Sequence, residues 1–391
     1  MKTSSSKKWI AGSGLILITL GGLLLGSKIS SSDKPQDWMK YRYSIALPGG
    51  GNESDLFHYR QKVKAQPDSA SDWASLAAAL RKEGKRSGYV SHLEEAGAAA
   101  EKSIAILPHF NPSARIVLGQ LAQDRHDFQA ALAIADQILR ENPGNPQAIS
   151  IKVTSNLALG RIEAARRDSA DLIRQFPGLA SLTMGALIEL EAGHETEALA
   201  AFERAIRSED FGDREGSAWV RSLLGRHHLR KGNLNVARLL LGEALRIKPN
   251  YPLAMGLLAE LETKEGNISE AERLYREAYR ILPEPSFRVD LGAALAGAGR
   301  RAEAEALWAE AETLMRSDLE TNPYGHRGEM VHLLLNRADP ADFPEAIRLA
   351  EAEAQIRQNR ETLETLEWAY QMAGTQKKAL NLDNTSNTRV P

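Results

Sequence analysis

Two segments of this chain repeat the same residue pattern 34 positions apart. ARLLLGEALRIKPN begins at Ala237, and AERLYREAYRILPE begins at Ala271. Each carries alanine, a bulky apolar residue and alanine at matching offsets, and each runs into a proline. A fixed period of this length predicts a chain of stacked supersecondary units instead of one globular core.

The pattern recurs along most of the chain. Prolines that close helical runs recur at intervals of 34 or 35 residues, with larger gaps where loops lengthen. They are Pro67, Pro108, Pro143, Pro177, Pro249 and Pro283. Seven clear units therefore run from about residue 70 to 315, and degenerate pairs continue to about residue 380.

Each unit is predicted to be two helices joined by a tight turn. In the unit that ends at Pro249, Gly225 lies on the first helix, Gly232 breaks the chain and Ala237 lies on the second helix. Antiparallel helices need small residues where their backbones approach and a large residue beside them to fill the gap. The predicted gap-filling residues are Leu241, Tyr275, Phe202 and Trp308. One pair cannot bury its apolar face alone, so the pairs must stack.

This pattern resembles the tetratricopeptide repeat, in which a W-x2-L-G-x2-Y helix is followed by A-x3-F and a closing proline. WASLAAAL, from Trp73, opens the first clear unit, and Ala271, Tyr275 and Ala278 match the second helix of a later one. The resemblance implies an all-α, right-handed solenoid of stacked antiparallel helix pairs. The chain departs from it at RKEGKRSGYVSH, where about seven extra residues are expected to lengthen the first unit's turn. A second departure is SEDFGDREGS, which ends the fourth unit without a proline.

Composition favours helices and gives no sign of nucleic-acid binding. Aromatic residues make up only 6% of the chain, and alanine, leucine, glutamate and arginine dominate. The 49 basic and 51 acidic residues nearly balance, so no overall field favours nucleic acid. The absence of cysteine excludes disulfides, thiolate nucleophiles and cysteine-bound zinc.

An apolar segment precedes the repeats. Residues 9–27, WIAGSGLILITLGGLLLGS, carry no charge and would span about 28 Å as a helix, enough to cross a bilayer. Lys2, Lys7 and Lys8 precede it, a layout shared by membrane anchors and cleaved secretory signals. No clear Ala-x-Ala cleavage site follows, which favours an uncleaved anchor. A short basic tail stays in the cytoplasm most easily, so we expect a single-pass protein with its solenoid on the extracytoplasmic side.

These signals divide the chain into seven predicted segments. They are a basic tail (1–8), the transmembrane anchor (9–27), a linker (28–53), a capping helix (54–66), the repeat solenoid (67–318), degenerate repeat-like helices (319–382) and a disordered tail (383–391). Serine, proline and a triple glycine predict the linker. The capping helix is expected to pack through Leu56, Tyr59 and Val63.

The sequence offers no convincing set of catalytic or cofactor-binding residues. HRGEMVH places His326, Glu329 and His332 at i, i+3 and i+6, whereas zinc-binding histidine pairs on a helix normally stand at i, i+4. LPGGGNESD lacks the Gly-Lys-Ser/Thr ending of a phosphate loop and follows no predicted strand. We therefore expect no enzyme, no metal site and no cofactor, with the histidines in packing or solvated positions.

The family resemblance implies a binding groove. First helices of stacked pairs line a concave surface, and positions 2, 5, 9, 12 and 13 of each unit face it in this family. Carried onto this chain, those positions are Arg81, Lys82, Gln120, Gln123, Asp124, Trp219, Ser222, Arg226, Arg230, Glu260 and Lys264. Trp219, Arg226 and Arg230 are the best anchor candidates, because aromatic residues and arginines carry most interface energy. A solvated helix face without a ligand is the alternative.

One subset of the family clamps C-terminal carboxylates with lysine and asparagine at two first-unit positions. Those positions hold Ala74 and Ala78 here, which disfavours recognition of chaperone tails of that kind.

The anchor and the repeats together are similar to membrane-anchored bacterial proteins of envelope assembly and protein traffic. That similarity implies a non-enzymatic scaffold or adaptor that binds protein partners in its groove. Two alternatives stay open, since one fold hosts many functions. One is a structural membrane oligomer that self-associates through the solenoid ends and through the small-xxx-small pair Gly22 and Gly26. The other is a regulatory subunit of an enzyme complex.

Overall fold

A computed structural model describes residues 55–210, 212–321 and 325–374 of the chain. The predicted basic tail, the anchor at residues 9–27, the linker and the C-terminal tail lie outside these residues. In the described part of the chain, no helix is both long and apolar enough to cross a membrane.

The described residues form eighteen α-helices and no strands. Their bounds are α1 Asp55–Ala65, α2 Ala70–Ser87, α3 Val90–Ile106, α4 Pro112–Asp124, α5 Phe128–Glu141, α6 Pro146–Ala158, α7 Ile162–Gln175, α8 Leu179–Glu191 and α9 Glu195–Arg207. They continue with α10 Arg214–Arg230, α11 Leu234–Ile247, α12 Pro252–Glu265, α13 Ile268–Ile281, α14 Pro285–Gly297, α15 Arg301–Thr321, α16 Arg327–Arg337, α17 Phe343–Ile356 and α18 Arg360–Met372. Helices α2 to α17 form eight successive antiparallel pairs, with α1 before the first pair and α18 after the last. The predicted all-α repeat architecture is confirmed.

Local signals begin and end these helices as the repeat requires. Asn145 accepts a hydrogen bond from the amide of Ala148, and Pro146 fills the first helical position, where a missing amide costs nothing. At the other end of a first helix, Gly266 adopts φ +83°, a left-handed conformation that favours glycine and turns the chain toward the second helix.

The packing between the helices of a pair follows the predicted small-to-large rule. Ala271, Tyr275 and Ala278 are all buried on α13. The indole of Trp308 lies so close to Gly292 that any Cβ atom there would overlap it. Trp308 Nε1 donates a hydrogen bond to the carbonyl oxygen of Val289 at 3.1 Å, which satisfies its buried polar group.

The prediction of a lengthened turn in the first unit was wrong. Only Gly88 and Tyr89 separate α2 from α3, and the extra residues lengthen the two helices instead. The added segment can stay helical because Arg86 pairs with Glu83 one turn earlier. Gly88, at φ +74°, then ends α2 in the left-handed conformation.

The chain coils so that later pairs sit on earlier ones. The solenoid has a turn edge, formed by the turns inside pairs, such as Gly88 and Gly160, and a connection edge, formed by the segments between pairs, such as Pro283 and Gln358. A Cβ atom on Gly88 would come within 2.9 Å of Pro283 Cδ, and one on Gly160 within 2.5 Å of the carbonyl oxygen of Gln358. Each contact joins a turn to the connection that follows five pairs later. The pairs from the sixth onward, called the second coil, therefore stack on the first five pairs, called the first coil, and both contacts have the same register of five pairs.

Hydrogen bonds fix this coil-on-coil contact. The amide of Gln358 donates to the carbonyl oxygen of Ala158, the last residue of α6, at 3.1 Å. Arg360 Nη2 donates to the carbonyl oxygens of Leu190 at 2.9 Å and Glu191 at 2.6 Å, and the Arg360 amide donates to the Glu191 carboxylate. The last carbonyls of a helix lack helical partners and carry partial negative charge, so an arginine is well matched to the end of α8.

Candidate functional site

The first helices of the pairs form the inner surface of the coil. Each even-numbered helix from α2 to α16 contacts the next even-numbered one, in addition to its own partner. This arrangement places the predicted groove positions on neighbouring helices of one surface, and their individual contacts decide what each can do.

In the first coil, the predicted residues mostly join one pair to the next. Arg81 donates two hydrogen bonds to the Asp124 carboxylate, at 2.8 and 3.1 Å, and Lys85 Nζ lies 3.4 Å from the same group. Gln123 Nε2 donates to Thr154 Oγ1 at 2.6 Å. These contacts tie α2 to α4 and α4 to α6. Gln120 is half-buried and Lys82 is exposed.

In the central pairs, the predicted anchor residues differ in accessibility. Trp219 is half-buried and packs against an apolar cluster that contains Leu179 and Phe202. Ser222 is fully buried, and its hydroxyl donates to the carbonyl oxygen of Ala218 at 2.8 Å. A partner in the groove cannot reach Ser222 in this arrangement, because α8 and α12 both pack against α10.

Arg226 is buried and Arg230 is half-buried on α10, and both lie within electrostatic range of carboxylates of α18. The charges of Glu361 and Glu260 act on both arginines, and that of Glu364 acts on Arg230. Burial lowers the pKa of both guanidinium groups, that of Arg230 to about 9, which keeps Arg230 charged at neutral pH. This pair places two basic side chains on the inner surface.

Burial also removes water from the carboxylates that oppose these arginines. Desolvation raises the pKa of Glu361 to about 7 and that of Glu364 to about 7, although nearby arginines oppose the shift. Desolvation likewise raises the pKa of Glu260, against the pull of Lys264, whose Nζ lies 3.5 Å from its carboxylate. Lys264 itself is exposed at the mouth of this surface. Acidic and basic groups thus share a space in which neither is fully solvated.

The sequence did not predict the part of this site that comes from α18. Glu361, Glu364 and Arg360 belong to this helix, which was predicted only as part of the degenerate repeats. They reach α8 and α10 because the second coil stacks on the first, and the position of that coil depends on small rotations accumulated over five pairs. No local pattern marks these residues.

The histidines of HRGEMVH do not converge on one point. His326 precedes α16, whereas His332 Nε2 lies 3.2 Å from Thr365 Oγ1 and its ring packs edge-on against Trp368. Burial lowers the pKa of His332 to about 4, which keeps it neutral. Among the described residues, no group of three or more histidine, aspartate or glutamate side chains could hold a metal ion.

A second buried acid lies on α14. Asp290 is completely buried, and neither carboxylate oxygen has a hydrogen-bond partner among the described residues. Desolvation, with the charges of Glu260 and Glu329, raises the pKa of Asp290 well above its ordinary value, which favours the neutral carboxyl group. A neutral carboxyl group costs far less to bury than a charged one.

Comparisons with known proteins agree with this architecture. A family model described as tetratricopeptide repeat matches residues 116–180, 183–252 and 222–284. A comparison with curated protein sequences finds no significant match.

Solved structures with similar folds share little sequence with this chain. The APC/C hetero-tetramer Cut9–Hcn1 is similar with a TM-score of 0.52 and 16% sequence identity. The match covers 80% of this chain but only 58% of the matched chain. A tetratricopeptide repeat protein from Parabacteroides merdae gives 0.44 and 15%, covering 62% of this chain and 92% of that one. Pseudomonas aeruginosa PilF gives 0.42 and 18%, covering 54% and 94%. The first of these likenesses bears on the fold alone.

Proposed function

Because this chain is built from tetratricopeptide repeats, we propose that it is a non-enzymatic scaffold that binds a protein partner along the inner surface of α10 and α12. The partner's chemistry follows from the charges there. Arg226 gives this surface a buried cation, Arg230 a half-buried one and Lys264 an exposed one. An extended segment with acidic side chains or a terminal carboxylate is the matching ligand.

The observation that carries this proposal is the position of Arg230 within electrostatic range of two carboxylates of α18. Glu361 and Glu364 show the kind of group that the inner surface accepts, since both lie close enough to act on the Arg230 guanidinium. Trp219 lies on the same helix, about two turns before Arg226 and three turns before Arg230. It supplies an aromatic surface for an apolar side chain of the partner.

We further propose that residues 9–27 tether the scaffold to a membrane and that residues 28–53 act as its linker. Tethering raises the effective concentration of a groove near its partner, so even a weak surface can act there. The segment order then places the solenoid on the extracytoplasmic side of a bacterial envelope, with a role in envelope assembly or protein traffic.

In-cell crosslinking of the full chain, followed by mass spectrometry, tests the groove. Crosslinks to a partner should map to α10 and α12 and should involve acidic segments of that partner. Trp219→Ala combined with Arg230→Gln should remove these crosslinks. The matched control is Arg280→Gln on α13, whose side chain is exposed and pairs only with Glu277 within its own helix. Partner crosslinks that survive the double change, or that disappear equally in the control, would exclude the inner surface as the binding site.

A further inference from the structure

An apolar strip is exposed on the connection edge of the first coil. Leu107 and Phe176 each end a second helix just before a proline, and they are 46% and 43% exposed. Phe110, in the same connection as Leu107, is 75% exposed. Leu282 holds the equivalent position after the sixth pair, but it is partly buried and packs near the Gly88 turn. The residue before the connection proline is therefore covered in the second coil, at Leu282, and exposed in the first, at Leu107 and Phe176.

The turn edge shows the opposite distribution. Gly88 and Gly160, in the first and third pairs, are covered by Pro283 and Gln358. Gly232, Gly266 and Gly299, in the fifth to seventh pairs, have no described neighbour within 4 Å of the place where a Cβ atom would stand. The molecule thus carries a bare connection edge near its beginning and a bare turn edge near its end.

The backbone conformation of Phe110 is also energetically unfavourable in the monomer. Its φ of +51° lies in the left-handed region, where a bulky residue is an outlier. Asn250, in the connection after the fifth pair, adopts nearly the same conformation, φ +62°, with a residue type suited to it. An aromatic side chain that neither suits its backbone nor contributes to the core indicates a role outside the folded monomer.

We infer that the connection edge of one copy docks on the turn edge of a second copy, so that the superhelix continues from molecule to molecule. The two kinds of edge already meet within one chain, where a turn contacts the connection five pairs later. The surface is therefore an extension of an existing interface, and its occupant is another copy of this chain.

The unpaired end helices fit this continuation. Helix α1 packs on α2 through Leu56, Tyr59 and Val63, the adjacency that every second helix has with the next first helix. Helix α18 is a first helix, and no second helix follows it among the described residues. One α18 and the α1 of the next copy would complete a ninth pair.

The register then specifies the contacts between copies. With a shared ninth pair, the first pair of the next copy is the tenth pair of the continued superhelix. The connection after that pair contains Leu107 and Phe110. By the register of five pairs, it falls on the turn of the fifth pair, which contains Gly232. The connection with Phe176 falls on the Gly299 turn. These are the turns that the described residues leave bare. Contact of unlike surfaces gives a head-to-tail chain of copies, not a two-fold dimer.

Sedimentation velocity of the full chain in mild detergent, over a concentration series, tests the inference. The wild type should show concentration-dependent association, and Phe110→Asn or Phe176→Ser should weaken it by about tenfold or more, as loss of an aromatic anchor does. Phe110→Asn should keep or raise the melting temperature, since it relieves backbone strain. Leu239→Ser, an exposed leucine in the middle of α11, is the matched control and should associate like the wild type.

Cysteine crosslinking tests the register, because the natural chain contains no cysteine. Mixing Phe176→Cys with Ala298→Cys chains under oxidising conditions should give a mixed disulfide dimer, whereas Phe176→Cys with Leu239→Cys should not. A chain that stays monomeric over the series would overturn the inference. So would association lost only with Gly22→Ile and Gly26→Ile, which would place it in the anchor segment, or a preference for Phe176→Cys self-dimers, which would indicate a two-fold contact.

Discussion

The main-chain amide of Gln358 donates a hydrogen bond to the carbonyl oxygen of Ala158 at 3.1 Å, although Gln358 lies in the connection after the eighth pair and Ala158 in the third pair. In a solenoid with only nearest-neighbour contacts, these pairs would never meet. The bond shows that the second coil rests directly on the first. Four predictions about this chain follow from its packing.

The first concerns the two glycine turns Gly160 and Gly232. Both have left-handed backbones, with φ of +68° and +79°, but only Gly160 faces another part of the chain, the carbonyl of Gln358. Gly232→Ala should cost about 1 kcal/mol of unfolding free energy from its backbone alone. Gly160→Ala should cost clearly more, because the added methyl group also forces the coils apart. Urea denaturation at low protein concentration measures both, and equal losses would mean that the coils do not touch there in solution.

The second concerns Arg360 at the end of α8. Arg360→Ala removes two hydrogen bonds to the carbonyl oxygens of Leu190 and Glu191. A hydrogen bond to a charged group contributes roughly 1.5–3 kcal/mol net. Because Arg360 is half-buried and water can replace part of these bonds, a total loss of about 1–3 kcal/mol is expected. Hydrogen exchange should accelerate in α17 and α18 and stay unchanged in α12 and α13. Arg348→Ala, on the exposed face of α17, should leave both regions unchanged.

The third concerns the pairing of small and large residues. Gly292→Ala should destabilise the chain, because its methyl group would overlap the buried indole of Trp308. In the preceding pair, Ala259 and Tyr275 hold the equivalent positions and both are buried. Trp308→Tyr should therefore recover part of the loss when combined with Gly292→Ala. Thermal melts of the two single variants and the double variant measure this coupling, and simple additivity of the two losses would contradict it.

The fourth concerns pH and His332. Burial lowers the pKa of this imidazole from 6.5 to about 4, with the charge of Glu329 opposing the shift. Between these pH values His332 is protonated in the unfolded chain but not in the folded chain, so stability is lost as pH falls below about 6.5. The loss approaches about 3 kcal/mol below pH 4. His332→Gln should remove this component from urea titrations between pH 4 and 7.5, while His58→Gln on α1 should keep it. Identical pH curves for wild type and His332→Gln would show that His332 titrates normally.

Local features of the fold follow from the sequence, and contacts between distant pairs do not. Tyr275, Trp308 and the glycine turns are predictable because each answers a packing or backbone requirement within one period of the repeat. The approach of Glu361 to Arg230 depends instead on how far the coil rotates per pair, which no single repeat encodes. Ser222 marks the same limit: its repeat position predicts a groove residue, yet the packing of α8 and α12 buries it.

The coil-on-coil contact also changes how this chain should gain and lose structure. A solenoid with neighbour contacts only has low contact order, folds from any nucleus and frays from its ends. Here the first pair supports the connection after the sixth, and the third supports the connection after the eighth. Detaching α1 to α3 would therefore uncover the middle of the chain, and the last pairs cannot find their final places until the first ones exist. Unfolding of one pair should therefore destabilise the pairs stacked on it in the other coil as well as its neighbours along the chain.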